Sequence, residues 1–205
     1  MASQIAHIVY AKKYFEKVPD HGITDKDKFL LGCVFPDIRR IGENIKRKDT
    51  HLRFSPIDLN FEGLDDFESG WKFHLYCDMR REEILNNYDF YSLENTTAFY
   101  NQTAKMLEDE IVYDSYNNWE KVVNYFNNPP KIDNGINVTR ETFELWYAIL
   151  AKYMEKKPDS RSMKIFLSKQ LSVIKKSGNI VDIVDKLRKN GKVIEILKKV
   201  KEEIV

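Results

Sequence analysis

Residues 65–85 read DDFESGWKFHLYCDMRREEIL, the longest stretch of the chain with the pattern of an amphipathic helix. Apolar residues such as Phe67 and Trp71 recur at helical spacing, and charged residues occupy the positions between them. His74 and Asp78 lie four residues apart in the same stretch, so the predicted helix places both on one face with Cβ atoms about 6 Å apart. Two side chains in that relation can chelate one cation.

The rest of the chain shows the same helical periodicity, and no alternating run bounded by a hairpin turn indicates a strand. Thr24, followed three residues later by Asp27, resembles a capping box at the start of the helix predicted over residues 25–34. Pro36 either ends that helix or lies in the first turn of the next one. Helices are predicted over residues 3–17, 25–34, 95–111, 114–126, 139–156 and 161–174, with two short ones at 179–189 and 192–203. The sequence therefore predicts an all-α fold.

Loops are predicted at residues 19–24, 42–60 and 127–137, where Gly, Pro and Asn accumulate. The last of these divides the chain into residues 1–128, a helical core that carries the candidate site, and residues 129–205, a C-terminal helical part. We expect both parts to pack as one domain, which is the better expectation for 205 residues.

The composition excludes several classes of protein. Hydrophobic residues make up 42% and charged residues 32% of the chain, which is typical of a globular protein. No apolar run approaches the roughly 20 residues that a membrane-spanning helix needs. The first residues lack the pattern of a secretory signal. Cys33 and Cys77 show no disulfide framework, which favours a reducing compartment. We therefore expect a cytoplasmic protein without a transmembrane segment.

Charge is distributed unevenly along the chain. Residues 1–150 carry 18 Lys and Arg against 25 Asp and Glu, whereas residues 151–205 carry 15 against 7. A basic C-terminal region is compatible with peripheral contact to a membrane or to nucleic acid. The favoured interpretation is that these lysines solvate the outer faces of short helices, because they are scattered and few aromatic residues lie among them. The oligomeric state is left open.

Three further residues extend the candidate metal site beyond the central helix. His51 ends a polar loop, Asp37 follows a proline at a helix start, and His7 lies on a helix face with apolar neighbours. With His74 and Asp78 they make three imidazoles and two carboxylates, a ligand set suited to Zn²⁺ and also to Mn²⁺ or Fe²⁺.

Each of these residues also has a purely structural interpretation. His7 alone is more often a hydrogen-bonded core residue than a ligand. His74 and Asp78 alone are compatible with an ordinary ion pair. Asp37 alone is compatible with a helix cap. His21, in a loop, is expected to be solvated. Residue spacing by itself leaves the two interpretations about evenly balanced.

In their order and local context these residues resemble the bacterial zinc-dependent phospholipase C family, whose all-α fold is shared with zinc nucleases of the S1/P1 type. The resemblance covers about the first 80 residues, and the short C-terminal helices are additional to it. The matching stretches are HIVYA at 7–11, LGCVFPDIR at 31–39, DTH at 49–51 and GWKFHLYCD at 70–78.

The resemblance implies that Asp37, His51, His74 and Asp78 surround one metal, and that Asp78 bridges to a second metal that His7 also contacts. Two features of the family are not expected here. In the family a mature N-terminal Trp completes the second metal, and we do not expect such a residue in a sequence that begins Met-Ala-Ser without a processing signal. A third metal needs two further histidines, and no histidine follows His74. We therefore expect a site for one or two Zn²⁺ ions.

The function expected from this site is metal-dependent hydrolysis of a small-molecule or lipid phosphoester. Asp37 would be a ligand that also orients or deprotonates the nucleophilic water, as the resemblance suggests. Arg39 and Arg53 are the cations expected to contact phosphate oxygens, with surface ion pairs as the alternative. HD-domain phosphohydrolases are discounted, because no histidine is followed by aspartate. The alternative function is a non-catalytic member of the fold, an interaction module with a structural metal.

Overall fold

The computed structural model describes residues 3–133 and 135–205, which contain ten α-helices and no strand. The prediction of an all-α protein is therefore confirmed for these residues. Short 3₁₀ segments connect several helices, the longest of them at Phe35–Arg40. In chain order the helices are α1 (Gln4–Lys17), α2 (Lys26–Val34), α3 (Arg47–His51), α4 (Asp66–Asn87), α5 (Ala98–Val112), α6 (Trp119–Asn127), α7 (Arg140–Met154), α8 (Ser160–Ser168), α9 (Ser177–Leu187) and α10 (Gly191–Glu203).

Helices α2 and α4 pack backbone to backbone at the centre of the molecule. Two glycines allow this approach: a Cβ atom on Gly32 would lie 2.0 Å from a carbonyl oxygen of α4, and one on Gly70 would lie 1.9 Å from a carbonyl oxygen of α2. A larger residue at either position would force the helices apart. The close crossing brings the carbonyl oxygen of Cys33 within hydrogen-bonding distance of the His74 ring.

The caps of α2 and α4 explain where these helices begin. Asp65 caps α4 by accepting a hydrogen bond from the backbone N–H of Glu68 at 2.8 Å. The N-cap of α2 is Asp25, which accepts from a backbone N–H of the first turn. The predicted capping box at Thr24 is therefore wrong, because the Thr24 hydroxyl instead donates to the carboxylate of Asp66.

The predicted loop at 42–60 contains the short helix α3, which the sequence analysis did not anticipate. Five residues are too few to show a periodic apolar pattern. The end of this helix is held against α4, since the indole N–H of Trp71 donates to the carbonyl oxygen of Thr50 at 2.6 Å. This contact positions the neighbouring His51 beside α4. Pro36 lies in the first turn of the 3₁₀ segment that begins at Phe35.

The C-terminal helices pack against the N-terminal core. In α7 the indole N–H of Trp146 donates to the carbonyl oxygen of Val34 at 3.1 Å, and the Tyr147 hydroxyl donates to that of Leu31 at 2.8 Å. Both side chains are buried, so α7 shares its core with α2. The exact boundary proposed at residue 128 stays a prediction.

Two further expectations concern membrane-spanning helices and the lysines of the basic C-terminal region. None of the helices in residues 3–133 and 135–205 has the length and apolar composition that crossing a bilayer requires. Lysines of the basic C-terminal region pair locally, as Lys152 does with Glu155 at 2.6 Å and Lys156 with Asp159 at 3.2 Å. Exposed pairs of this kind agree with the interpretation of these lysines as solvating residues.

Candidate metal centre

The five residues predicted as metal ligands are brought together from four separate parts of the chain. His7, His74 and Asp78 form one group, and Asp37, His51 and His74 form a second; in each group, one ligand atom per residue lies within 4.8 Å of the others. Because His74 belongs to both, the five residues form one cluster, called the five-residue cluster below. All five side chains are buried.

The carboxylate of Asp78 lies at the centre of the three imidazoles. Its Oδ1 is 3.6 Å from Nε2 of His7, and its Oδ2 is 3.6 Å from Nε2 of His74 and 3.9 Å from Nε2 of His51. Ligands that bind one tetrahedral zinc at about 2.0–2.1 Å lie roughly 3.4 Å from one another. The observed separations are close to that spacing, and they present the two oxygens of Asp78 to different histidines.

The three rings are oriented by hydrogen bonds at Nδ1. Nδ1 of His7 donates to the carbonyl oxygen of Ser3, and Nδ1 of His74 donates to that of Cys33, both at 2.8 Å. Because a carbonyl oxygen only accepts, the proton of each neutral ring is on Nδ1 and the lone pair is on Nε2. Nδ1 of His51 lies 2.8 Å from the Thr50 hydroxyl. Metal-binding histidines typically have a partner of this kind on the other ring nitrogen.

The Nε2 atoms of all three histidines are buried, and none has a hydrogen-bond partner among the described residues. Leaving one buried polar atom unsatisfied costs about 1–3 kcal/mol, and here three such atoms of His7, His51 and His74 face the same carboxylate. If these histidines had only a structural role, we would expect each Nε2 atom to have a hydrogen-bond partner within the protein. The observed arrangement is the one that a shared cation would complete.

The protonation of the cluster also suits a cation. Burial lowers the pKa of His51 to about 4, and burial together with the adjacent His7 ring lowers that of His74 well below its ordinary value. Burial opposes ionisation of Asp37 and Asp78, but the surrounding groups outweigh it, Arg40 at Asp37 above all, and both carboxyl pKa values are lowered. At neutral pH the cluster therefore combines the neutral imidazoles of His51 and His74 with two carboxylates, which are donors of the kind found in zinc sites.

Asp37 is held by side chains on both oxygens. The Gln4 amide donates to Oδ2 at 2.6 Å, and Nε of Arg40 lies 3.0 Å from Oδ1. The guanidinium of Arg39 lies 3.6 Å from the same Oδ1. The residue does not cap the 3₁₀ segment in which it lies, whose N-cap is Val34. The side-chain contacts therefore fix the carboxylate beside the histidines.

A cavity of about 350 Å³ opens onto the cluster. His51 and Asp78 form part of its wall, together with Arg47, Asn101 and Lys105. Structural zinc sites are closed by four protein ligands, whereas catalytic sites keep one position accessible. The cavity gives a small molecule access to two of the five clustered residues.

The two predicted phosphate-binding arginines differ in position. Arg39 lies beside Asp37, as described above. Arg53 pairs with Glu68 at 2.8 Å, and its guanidinium lies over the ring of Trp71, 5.0 Å from the centroid. It is not among the described residues that line the cavity, and a role in substrate binding stays a prediction. His21 lies outside the cluster, where Nδ1 accepts from the backbone N–H of Ile23.

The sequence analysis missed three residues that surround the cluster: Gln4, Arg40 and Lys105. Lys105 is only 2% exposed, although it is charged. The signal for it was a lysine inside the apolar run Ala104–Leu107 of α5. The signal for Gln4 was its position three residues before His7, on the same face of α1. Arg40 follows Arg39 in the sequence and carried no signal of its own.

Comparison of this chain with family models, with curated proteins and with solved structures finds no match. The interpretation of the site rests on the geometry of the five-residue cluster and its cavity.

Proposed function

We propose that the protein is a metal-dependent hydrolase of phosphoesters, with one or two Zn²⁺ ions held by the five-residue cluster. The observation that carries the proposal is the convergence of three buried, unpartnered Nε2 atoms on the carboxylate of Asp78. The resemblance to zinc-dependent phospholipases C supports the same function. Mn²⁺ and Fe²⁺ are compatible with the same donor set.

The proposed chemistry is activation of water for attack on phosphorus. A divalent cation with an open position lowers the pKa of bound water from about 15.7 to about 7. Asp37, fixed by Gln4 and Arg40, is proposed to orient the attacking water and to accept its proton. Arg39 is proposed to bind a phosphate oxygen and to offset the negative charge that increases during attack. The substrate is a small-molecule or lipid phosphoester.

The alternative is a non-catalytic protein in which the same residues hold a structural metal. The cavity that reaches His51 and Asp78 favours the catalytic interpretation, because a structural site gains nothing from an accessible face. The two functions predict different results for the purified protein, and one set of measurements distinguishes them.

The test is elemental analysis of the full chain after reconstitution with Zn²⁺, followed by assays with a phosphomonoester, a phosphodiester and phospholipid vesicles. We expect one or two equivalents of zinc and turnover of at least one substrate, both lost in His74→Ala. His21→Ala is the matched control and should retain both.

Two results would contradict the proposal. Less than about a tenth of an equivalent of any transition metal after reconstitution would exclude a metal site of either kind. Stoichiometric metal that is lost in His74→Ala, without turnover of any of the three substrates, would favour the non-catalytic alternative.

A further inference from the structure

A second cavity, of about 230 Å³, lies beside the metal centre. Four cationic side chains line it, and no carboxylate is among the described residues of its wall. Gln102 and Ser172 add polar groups. We call this cavity the cationic pocket; its four cations are Arg39, Arg40, Lys105 and Lys176. Asp37 compensates part of this positive charge through its pairs with Arg39 and Arg40, and the remainder favours binding of an anion.

Lys105 connects the cationic pocket to the metal centre, because it lines both cavities. Its side chain is buried, and within the described residues its ammonium group has neither a hydrogen bond nor an ion pair. Burial and the nearby Arg40 charge lower the pKa of Lys105 to about 7. A buried lysine without a partner is costly, and an anion in either cavity would remove that cost.

Arg40 is fixed in the wall of the pocket by contacts from distant parts of the chain. Its guanidinium donates to the side-chain oxygens of Gln102 and Gln170, both at 3.1 Å, while Nε faces Asp37. Its carbonyl oxygen accepts from the backbone N–H of Leu171 at 2.8 Å. That bond docks the segment that carries three further residues of the pocket wall, Ser172, Val173 and Lys176. The pocket is therefore built jointly by the N-terminal core and the basic C-terminal region.

The contents of the wall favour a phosphate group over a carboxylate. Asp37 is the carboxylate paired with Arg39 and Arg40, so the buried Lys105 is left without a counter-charge among the described residues, and the exposed Lys176 adds a second cation to the wall. A phosphate carries up to two negative charges and several acceptor oxygens, so it can bind guanidinium, ammonium, amide and hydroxyl donors at once. A carboxylate has one charge and two oxygens.

We propose that the cationic pocket binds a second phosphate group of the substrate while the first lies at the metal centre. The substrate class is thus a phosphoester that carries another phosphate, such as a bisphosphate. The inference rests on the proposed function for the identity of the hydrolysed group, but binding of phosphate to the pocket can be tested without any turnover.

The deciding experiment is calorimetric titration of inorganic phosphate into the chelator-treated full chain, so that no metal contributes to binding. We expect saturable binding to one site, weakened about tenfold or more in Lys176→Ala and in Lys105→Met, as loss of a charge-assisted hydrogen bond implies. Lys176 is exposed, so its substitution should leave the fold intact. The matched control is Lys175→Ala, the exposed neighbour that does not line the pocket, and it should bind as the wild type does.

Absence of saturable binding, or an equal loss of affinity in Lys175→Ala, would overturn the inference. A second measurement concerns the zinc-loaded protein: the KM for a sugar bisphosphate should lie below that for the corresponding monophosphate, and Lys176→Ala should narrow the difference. Phosphate binding through Lys176 without any hydrolysis would refute the proposed function and leave the pocket standing. Hydrolysis by the zinc-loaded protein without phosphate binding to the chelator-treated chain would support the proposed function and overturn the proposed phosphate site in the cationic pocket.

Discussion

The imidazole rings of His7 and His74 lie stacked, with 4.0 Å between their centroids and 8° between their planes. One ring comes from α1 and the other from α4, and each donates its Nδ1 proton to a backbone carbonyl. Their Nε2 atoms lie near the two different oxygens of the Asp78 carboxylate. The His7 ring adds to the effect of burial in lowering the pKa of His74, which favours the neutral His74 ring that a metal needs.

The hydroxyl of Thr50 should matter for metal binding although it cannot reach the metal. In Thr50→Val the Nδ1 atom of His51 loses its partner, and the ring is no longer held in its orientation. We expect the dissociation constant for Zn²⁺ to rise about 10–100-fold, measured by competition with a chromophoric chelator. Thr96→Val is the control, since that buried hydroxyl bonds only the carbonyls of Phe90 and Leu93. Equal affinity of the Thr50 variant and the wild type would contradict the orienting role.

The glycine contact between α2 and α4 should be intolerant of even one methyl group. Gly32→Ala places a Cβ atom 2.0 Å from a backbone oxygen, which cannot move without shifting the helix. We expect the free energy of unfolding to fall by about 3 kcal/mol or more, measured by urea denaturation. In Gly178→Ala, within α9, nothing lies within 4 Å of the new atom, and stability should rise by up to about 1 kcal/mol. Similar effects of the two substitutions would be inconsistent with the close crossing.

The adjacent arginines Arg80 and Arg81 should contribute very differently to stability. Arg81 is fully buried against Glu108, with Nε 2.6 Å from a carboxylate oxygen, whereas Arg80 pairs with Glu83 near the surface. Arg81→Met leaves a buried carboxylate without its cation and should cost about 3–5 kcal/mol. Arg80→Met should cost less than about 1 kcal/mol. Thermal and urea unfolding of both variants check the difference, and equal costs would contradict it.

Acid should weaken the metal-free protein through His51. Burial lowers its pKa to about 4, below the value of about 6.5 expected in the unfolded chain, so between these values only the unfolded chain takes up the proton. The free energy of unfolding then falls with pH by up to about 1.4 kcal/mol per unit for this residue. Asp109 opposes the trend, because burial raises its pKa to about 7 and the folded state gains a proton as the pH falls.

The contribution of His51 is therefore measured as a difference between proteins. Urea unfolding of chelator-treated wild type and His51→Gln, at several pH values between about 7 and 5, should show the variant gaining stability relative to the wild type as the pH falls. His21→Gln, at a partly exposed loop position, should show a smaller relative gain. A difference between wild type and His51→Gln that stays constant with pH would contradict the assignment.

Local spacing predicted one part of the cluster directly. His74 and Asp78 are four residues apart on a helix, and α4 begins and ends within two residues of the predicted bounds. The relation between them follows from helix geometry alone, whatever the helix packs against. For His7, Asp37 and His51, residue spacing did not decide between metal binding and a structural role. Only the resemblance to zinc-dependent phospholipases C assigned these three residues to the same site.

The convergence of the remaining residues depends on contacts that no local pattern contains. His51 lies in α3, whose position is fixed by the bond between Trp71 and Thr50 across 21 residues of sequence. Asp37 is fixed by Gln4, 33 residues away. Arg53 shows the same dependence with the opposite outcome: the fold places it beside Glu68 rather than at the cavity.

The sequence by itself determined the all-α class and the supply of donors, because helical periodicity and residue chemistry are properties of short segments. Only the tertiary structure decided that three Nε2 atoms face Asp78 without partners, and that Lys105 is buried between two cavities. The physical reason is that burial and the completion of hydrogen bonds depend on which distant segments come into contact. That choice is made by the packing of α1, α2, α4 and α5 around the site.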